Sequence, residues 1–137
     1  MKKILLIALI CTIIFPAFAE NYIQIANNSY IDNDTIMPYI GKYEPAGSGK
    51  ISFWIKNKND KSASFDYLEK SLKKEVSYQT INFVTDCRNK QIATKSILAY
   101  DMSGDIISDY SAPSLQFTNI EQNSKEEVYY SYVCAID

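Results

Sequence analysis

Apolar and polar residues alternate with a period of two along most of the chain after residue 20. The plainest case is Ile51 to Asn57, where Ile51, Phe53 and Ile55 form one face and Ser52, Trp54 and Lys56 the other. Val76 to Arg88 repeats the pattern. Ile81, Phe83 and Cys87 fall on one side, and Tyr78, Thr80, Asn82, Val84, Asp86 and Arg88 on the other. Its β-branched and aromatic content fits a strand, and the alternation turns Cys87 toward the core. Shorter strand patterns lie at Asn21 to Ala26, around Tyr30 and Ile31, at Gln91 to Tyr100, at Asp105 to Tyr110 and at Leu115 to Ile120. In Gln91 to Tyr100 the reading puts Ile92, Leu98 and Tyr100 on one face.

Turn chemistry separates these runs. Asn27-Asn28, Asp32-Asn33-Asp34, Asn57 to Lys61, Asn89-Lys90, Asp101-Met102-Ser103-Gly104 and Ala112-Pro113-Ser114 all favour reversals. Met37 to Lys50, with Pro38, Gly41, Pro45, Gly47 and Gly49, reads as the longest loop. Strands joined by short turns predict an antiparallel meander of about six strands.

Two segments depart from period two. Phe65 to Glu75 reads either as a short helix, with Tyr67, Leu68 and Leu72 on one face and a Glu69–Lys73 pair, or as a loop. Ser124 to Asp137 gives conflicting signals. Ser124 and Glu127 match a helix capping box, whereas Val128, Tyr130, Tyr132, Cys134 and Ile136 alternate as in a strand. Local sequence leaves both readings open.

Met1 to Ala19 has the pattern of a secretory signal: Lys2 and Lys3, an apolar run from Ile4 to Phe15, and Ala17-Phe18-Ala19 as a cleavage site. The run is short for a membrane span, and no later run is long enough for one. Residues 20–137 then suit one domain. Of 14 Lys and Arg, two lie in this leader, against 16 Asp and Glu in the chain. The resulting acidic balance gives no reason to expect a nucleic-acid partner. Cys87 and Cys134 are the two cysteines beyond the leader, and export makes an intramolecular disulfide the default, with free thiols or an intermolecular bridge as the alternatives.

The chain has no His. That removes Ser-His-Asp and Cys-His nucleophilic sites and imidazole metal sites. Asp32-Asn33-Asp34 resembles half a calcium loop without the glycine that such a loop needs at its sixth position. Gly47-Ser48-Gly49-Lys50 lacks the ending of a phosphate loop. No catalytic, metal or cofactor residues are assigned, and the expectation is a binding protein and not an enzyme. Candidate contacts for a protein partner are Trp54, Lys56, Lys58, Lys61, Lys70, Lys73 and Lys74. Each has a plainer reading: Trp54 as cover for the second sheet face, the lysines as solvated charge. Eleven Tyr supply apolar bodies with polar tips, fit for a thin core or an interface.

Several residues carry a family resemblance. These are Asp86-Cys87-Arg88 at a strand end, Tyr100-Asp101-x-x-Gly104, a second cysteine near the C-terminus, and Phe117 to Ser124. Together they resemble the surface adhesin E family, whose Trp-x-x-Ile-x-Pro-Gly-Ser stretch is matched in spacing. Ile120 and Ser124 are kept, with Phe117 for Trp, Gln122 for Pro and Asn123 for Gly; Tyr22 stands where the family often has Trp. The resemblance implies a mainly β, α+β domain, a single antiparallel sheet packed by a C-terminal helix, with a disulfide from Cys134 on the helix to Cys87 in the sheet. It also implies an exported adhesin, at the outer surface or in the periplasm, that binds a host matrix or plasma protein and can dimerise. The rival readings are an inhibitor or accessory of an envelope hydrolase, an enzyme built on a carboxylate pair, and an aromatic-lined carrier of haem or another small molecule.

Overall fold

The computed structural model describes residues 21–41 and 47–135. The predicted signal segment lies outside them, as does part of the predicted Met37 to Lys50 loop. The elements in chain order are β1 (Tyr22–Ala26), β2 (Ser29–Pro38), β3 (Lys50–Lys58), α1 (Ala63–Leu72), β4 (Tyr78–Asp86), β5 (Gln91–Tyr100), β6 (Ile106–Ser111), β7 (Thr118–Asn119) and α2 (Lys125–Cys134). Strands β1 to β6 follow one another across a single antiparallel sheet, and β7 pairs with the start of β5. The expected meander is present, and α1 is inserted between β3 and β4.

The predicted turns work as their chemistry requires. Asn28 takes a left-handed backbone (φ 59°) between β1 and β2, a conformation that Asn tolerates. Asp101 holds the β5–β6 turn by accepting from the N–H groups of Ser103 (2.9 Å) and Asp105 (3.0 Å). Asp32-Asn33-Asp34, expected as a turn, falls instead in an irregularity inside the longer β2. The Thr35 hydroxyl donates to Asp32 O and accepts from the Trp54 N–H. The chain bulges there without leaving the sheet.

A second bulge corrects the reading of β5. Asn82 pairs with Ser96 and Phe83 with Thr94, so Lys95 has no partner on β4. One extra residue inverts the alternation. Ile92 therefore faces the core, while Leu98 and Tyr100 face the opposite side with Thr80 and Tyr78. The predicted strand from Leu115 to Ile120 shrinks to the two residues of β7, although Ile120 is buried in the core.

Both helices pack on the same face of the sheet, by register. Phe53 and Phe83 are cross-strand partners under α2 and form its floor with Ile31, Ile55, Ile92, Ile120, Tyr129 and Val133. The rings of Phe53, Phe83 and Tyr129 meet at 5.7–6.4 Å between centroids. A second cluster joins Phe65 of α1 to Val76 and Ala99. Ala99 pairs with Gln79 and so shares the side of Ile81 and Phe83. Tyr67, expected on the packed face of α1, is 74% exposed; Phe65 takes that place. Nor does Glu69 reach Lys73. It accepts from Asn59 Nδ2 (3.1 Å) and from the Val76 N–H (3.4 Å), while the i,i+4 pair is Asp66–Lys70 (2.9 Å).

The C-terminal segment is a helix. Ser124 caps it by accepting from the Glu127 N–H at 3.2 Å, and Glu127 reaches back to the Asn123 N–H at 3.4 Å. Asn123 is left-handed (φ 64°), which explains why Asn stands where the family pattern has Gly. Cys134, in the last turn of α2, is bonded to Cys87 just beyond β4, with Cα atoms 5.7 Å apart. Three tyrosine hydroxyls fasten the same helix to separate points. Tyr129 donates to Ser29, Tyr130 to the Cys87 carbonyl (2.9 Å) and Tyr132 to Asn33 (3.1 Å).

Candidate functional site

Because both described helices occupy one side of the sheet, the other side carries no helix among the described residues. Even-numbered residues of β3 and β4 point there, as their pairings require: Trp54 opposite Asn82, Lys56 opposite Thr80, Lys58 opposite Tyr78. Asp32 and Tyr30 of β2 continue the rows on one flank, and Leu98 and Tyr100 of β5 on the other. The face is not uniform. Toward Val84 and Ala93 it is buried, whereas toward Lys56 and Tyr78 it is only half covered.

Lysine and tyrosine alternate in this second region. The Lys56 ammonium lies 4.3 Å from the centre of the Tyr78 ring and 5.4 Å from that of Tyr22. Lys58 lies 4.8 Å from the Tyr30 ring, and Tyr78 stacks on Tyr100 at 4.5 Å. Ring faces attract an ammonium through their quadrupole but carry no net charge. They fix the lysines in place and leave the positive charge uncancelled. The Thr80 hydroxyl, in register with Lys56, is buried without a hydrogen-bond partner among the described residues.

Lys61 joins the two strand lysines at the edge of a concavity of about 470 Å³, lined also by Asn59, Ser77 and Met102. A left-handed backbone at Lys61 (φ 60°), fixed by the Asn59 side chain accepting from its N–H at 2.8 Å, places it there. Carboxylates of α1 and of the adjoining turns are engaged elsewhere. Glu69 is held by Asn59 and Val76, Asp101 serves its own turn, and Asp60 accepts from the Ser62 N–H (3.0 Å) and lies 3.9 Å from Lys125. The Ser62 hydrogen bonds, with Lys125, hold the Asp60 carboxyl below its ordinary value.

The structure thus separates the seven residues singled out in the sequence. Trp54, Lys56 and Lys58 share the open face, and Lys61 borders it. Lys70, Lys73 and Lys74 belong to α1 and its C-terminal cap, where Lys70 is paired with Asp66 and the other two are exposed. Tyr22, Tyr30, Tyr78 and Tyr100 were not singled out. Tyr30 stands opposite Lys56 and Tyr78 opposite Lys58, with Tyr22 and Tyr100 flanking them, a matter of cross-strand register that no local pattern displays.

A larger cleft of about 660 Å³ lies on the helix side, lined by Phe83, Ile92, Thr94, Tyr110, Pro113 and Glu126 among others; no lysine or arginine lines it among the described residues. No group of three or more Cys, Asp or Glu is arranged to hold a metal ion among the described residues. No described helix is long and apolar enough to cross a membrane.

A single antiparallel meander with a C-terminal helix disulfide-bonded to the end of its fourth strand defines a small α+β domain, and solved structures of similar fold are known. Two crystal structures of Haemophilus influenzae protein E superpose with TM-scores of 0.58 and 0.56. Both are 17% identical; they cover 86% of this chain, and 90% and 86% of theirs. Protein E from non-typeable Haemophilus influenzae gives 0.54 at 17% identity, over 88% of this chain and 79% of its own. The model of the family Surface-adhesin protein E matches residues 22–135, and the chain belongs to that family. No curated protein sequence matches it.

Proposed function

We propose that the protein is exported, displayed at the outer cell surface, and acts as a non-enzymatic adhesin that grips a host matrix or plasma protein through its open sheet face. Family membership supports an adhesin-like role. The observation that carries the choice of surface is the row of Trp54, Lys56 and Lys58 on the side of the sheet that neither described helix covers. A large aromatic beside unpaired charge is the composition of an interface that is apolar at its centre and polar at its rim. Lys61 extends that rim. Lys70 lies on α1 and Lys73 and Lys74 at its C-terminal end, on the helix that packs against the opposite side, and the proposed contact does not use them.

Saturable binding of the purified protein to immobilised matrix and plasma proteins tests the reading. Trp54→Ala is expected to weaken binding about tenfold or more if Trp54 is a central anchor. No saturable binding to any of them would remove the adhesin reading. Surface protease treatment of intact cells tests display; protection from protease, with the protein in the periplasmic fraction, would favour an accessory acting on an envelope hydrolase.

A further inference from the structure

We propose that the lysine–tyrosine region of the open face, around Lys56, Lys58 and Lys61, is a binding site for a sulfated polysaccharide. This rests on surface display but not on the protein-binding role above.

Charge is the first support. Lys50, Lys70, Lys90 and Lys125 each lie within 4 Å of a carboxylate. Lys56, Lys58 and Lys61 have no such partner among the described residues. Lys56 and Lys58 are seated on tyrosine rings instead, at 4.3 and 4.8 Å from the ring centres. Lys73, Lys74 and Lys95 likewise have no such partner among the described residues, but Lys56, Lys58 and Lys61 line one concavity, so a chain of formal net charge −2 carries unneutralised positive charges together there. Its overall charge repels polyanions, so attraction must come from this patch.

Geometry is the second. Two strand residues of the same face stand roughly 7 Å apart, and Lys61 continues the row at the concavity. A line of separate cations suits an extended chain with anionic groups at intervals. Lysine also presents a compact point charge and no planar fork, so the patch lacks the bidentate geometry by which arginine selects planar carboxylates. The ring faces nearest the lysines are already taken by ammonium groups or by the Tyr78–Tyr100 stack. Stacking of nucleic-acid bases, which needs open aromatic faces, is disfavoured. A sulfate-bearing glycan needs only the ammonium groups and the rim.

The test is binding of the purified full chain to heparin, measured by calorimetry or biosensor at two salt concentrations. Competitors are chemically desulfated heparin, poly-glutamate and anionic phospholipid vesicles. Saturable heparin binding that weakens with salt and is not matched by the competitors is expected. The variant Lys56→Gln/Lys58→Gln/Lys61→Gln should bind about tenfold more weakly or worse, with an unchanged melting temperature. The control Lys70→Gln/Lys73→Gln/Lys74→Gln alters net charge equally and should bind as the parent does. Equal weakening in both variants, no heparin binding, or equal binding of desulfated heparin, poly-glutamate or vesicles would each overturn the proposal. Heparin binding without matrix-protein binding would leave this site standing and remove the protein-adhesin role; the converse would do the reverse.

Discussion

Tyr129 and Ser29 stand 100 residues apart and share a buried hydrogen bond of 3.1 Å. Ser29 in turn donates to Asn57 Oδ1 at 2.6 Å, so one tyrosine of α2 ties together β2 and β3. Burial pushes the Tyr129 hydroxyl above its ordinary value of 10.0, the Ser29 hydrogen bond pulls it partly back, and Glu126 adds to the rise. Tyr129→Phe removes the hydroxyl and leaves the Ser29–Asn57 bond in place. The expected loss is about 1 kcal/mol, read as a fall in melting temperature of roughly 3–6 °C. Because the folded value is raised, this group contributes stability that is fully present below pH 10 and lost as pH rises through that raised value. Tyr129→Phe should therefore lose stability less steeply in alkali than the parent, and an identical alkaline profile would contradict this role.

The bond between Cys87 and Cys134 spans a sequence separation of 47. Chain-entropy arguments assign about 4 kcal/mol to closing such a loop, against a typical total stability of about 5–15 kcal/mol. Cys87→Ser/Cys134→Ser, or treatment with reductant, should lower the melting temperature by more than ten degrees, at roughly 3–6 °C per kcal/mol. Thermal melts with and without reductant check this; coincident curves would show that the tyrosine contacts alone hold the helix.

Asp86 organises the turn that carries Cys87. Burial pushes its carboxyl up, but hydrogen bonds from the Asn89 side chain (2.8 Å) and from the N–H groups of Asn89 and Arg88 (both 3.1 Å), with Lys50 at 3.9 Å, outweigh it. The net shift is below 3.8. A depressed folded value gives stability that is present above the unfolded value and lost as pH falls through the folded one. Asp86→Asn should cost about 1–2 kcal/mol at neutral pH and flatten the decline below pH 3.8. Denaturant unfolding at neutral pH and near pH 3 measures both; a parallel decline in the variant would remove Asp86 from the acid transition.

The Thr80 hydroxyl is buried without a hydrogen-bond partner among the described residues, a cost that a methyl group in its place removes. Thr80→Val keeps the shape and the β-branching and removes an unsatisfied buried polar atom. The expected change is a gain of about 1 kcal/mol in urea unfolding. A destabilised variant would mean that the hydroxyl has a partner in solution.

Legibility followed the range of each interaction. The strands from Ile51 and from Val76, the Asn28 and Asp101 turns, and the Ser124 cap depend on residues within a few positions of one another, and period and turn chemistry reveal them. Other outcomes depended on pairing. The Lys95 bulge reverses which side of β5 faces the core, and nothing in Gln91 to Tyr100 alone records it. Glu69 turns from Lys73 to Asn59 because the β3–α1 connection brings that amide close. The candidate site was visible as its lysines and Trp54, but not as a surface, since the tyrosines that seat the lysines come from β1, β2 and β4.

The sequence by itself determined the existence of most strands, most of the turns, the cap of the last helix and the cysteine pair, because each is set by local backbone preference or by the presence of only two cysteines after residue 20. The strand-like alternation in Val128 to Ile136 was resolved only in three dimensions. A segment with tyrosines on several sides gains nothing from amphipathicity, yet as a helix it places Tyr129, Tyr130 and Tyr132 on Ser29, Cys87 and Asn33 and brings Cys134 to its partner. The tertiary structure also decided that both helices share one side of the sheet. That choice leaves Trp54 and the lysine row on the face that neither described helix covers.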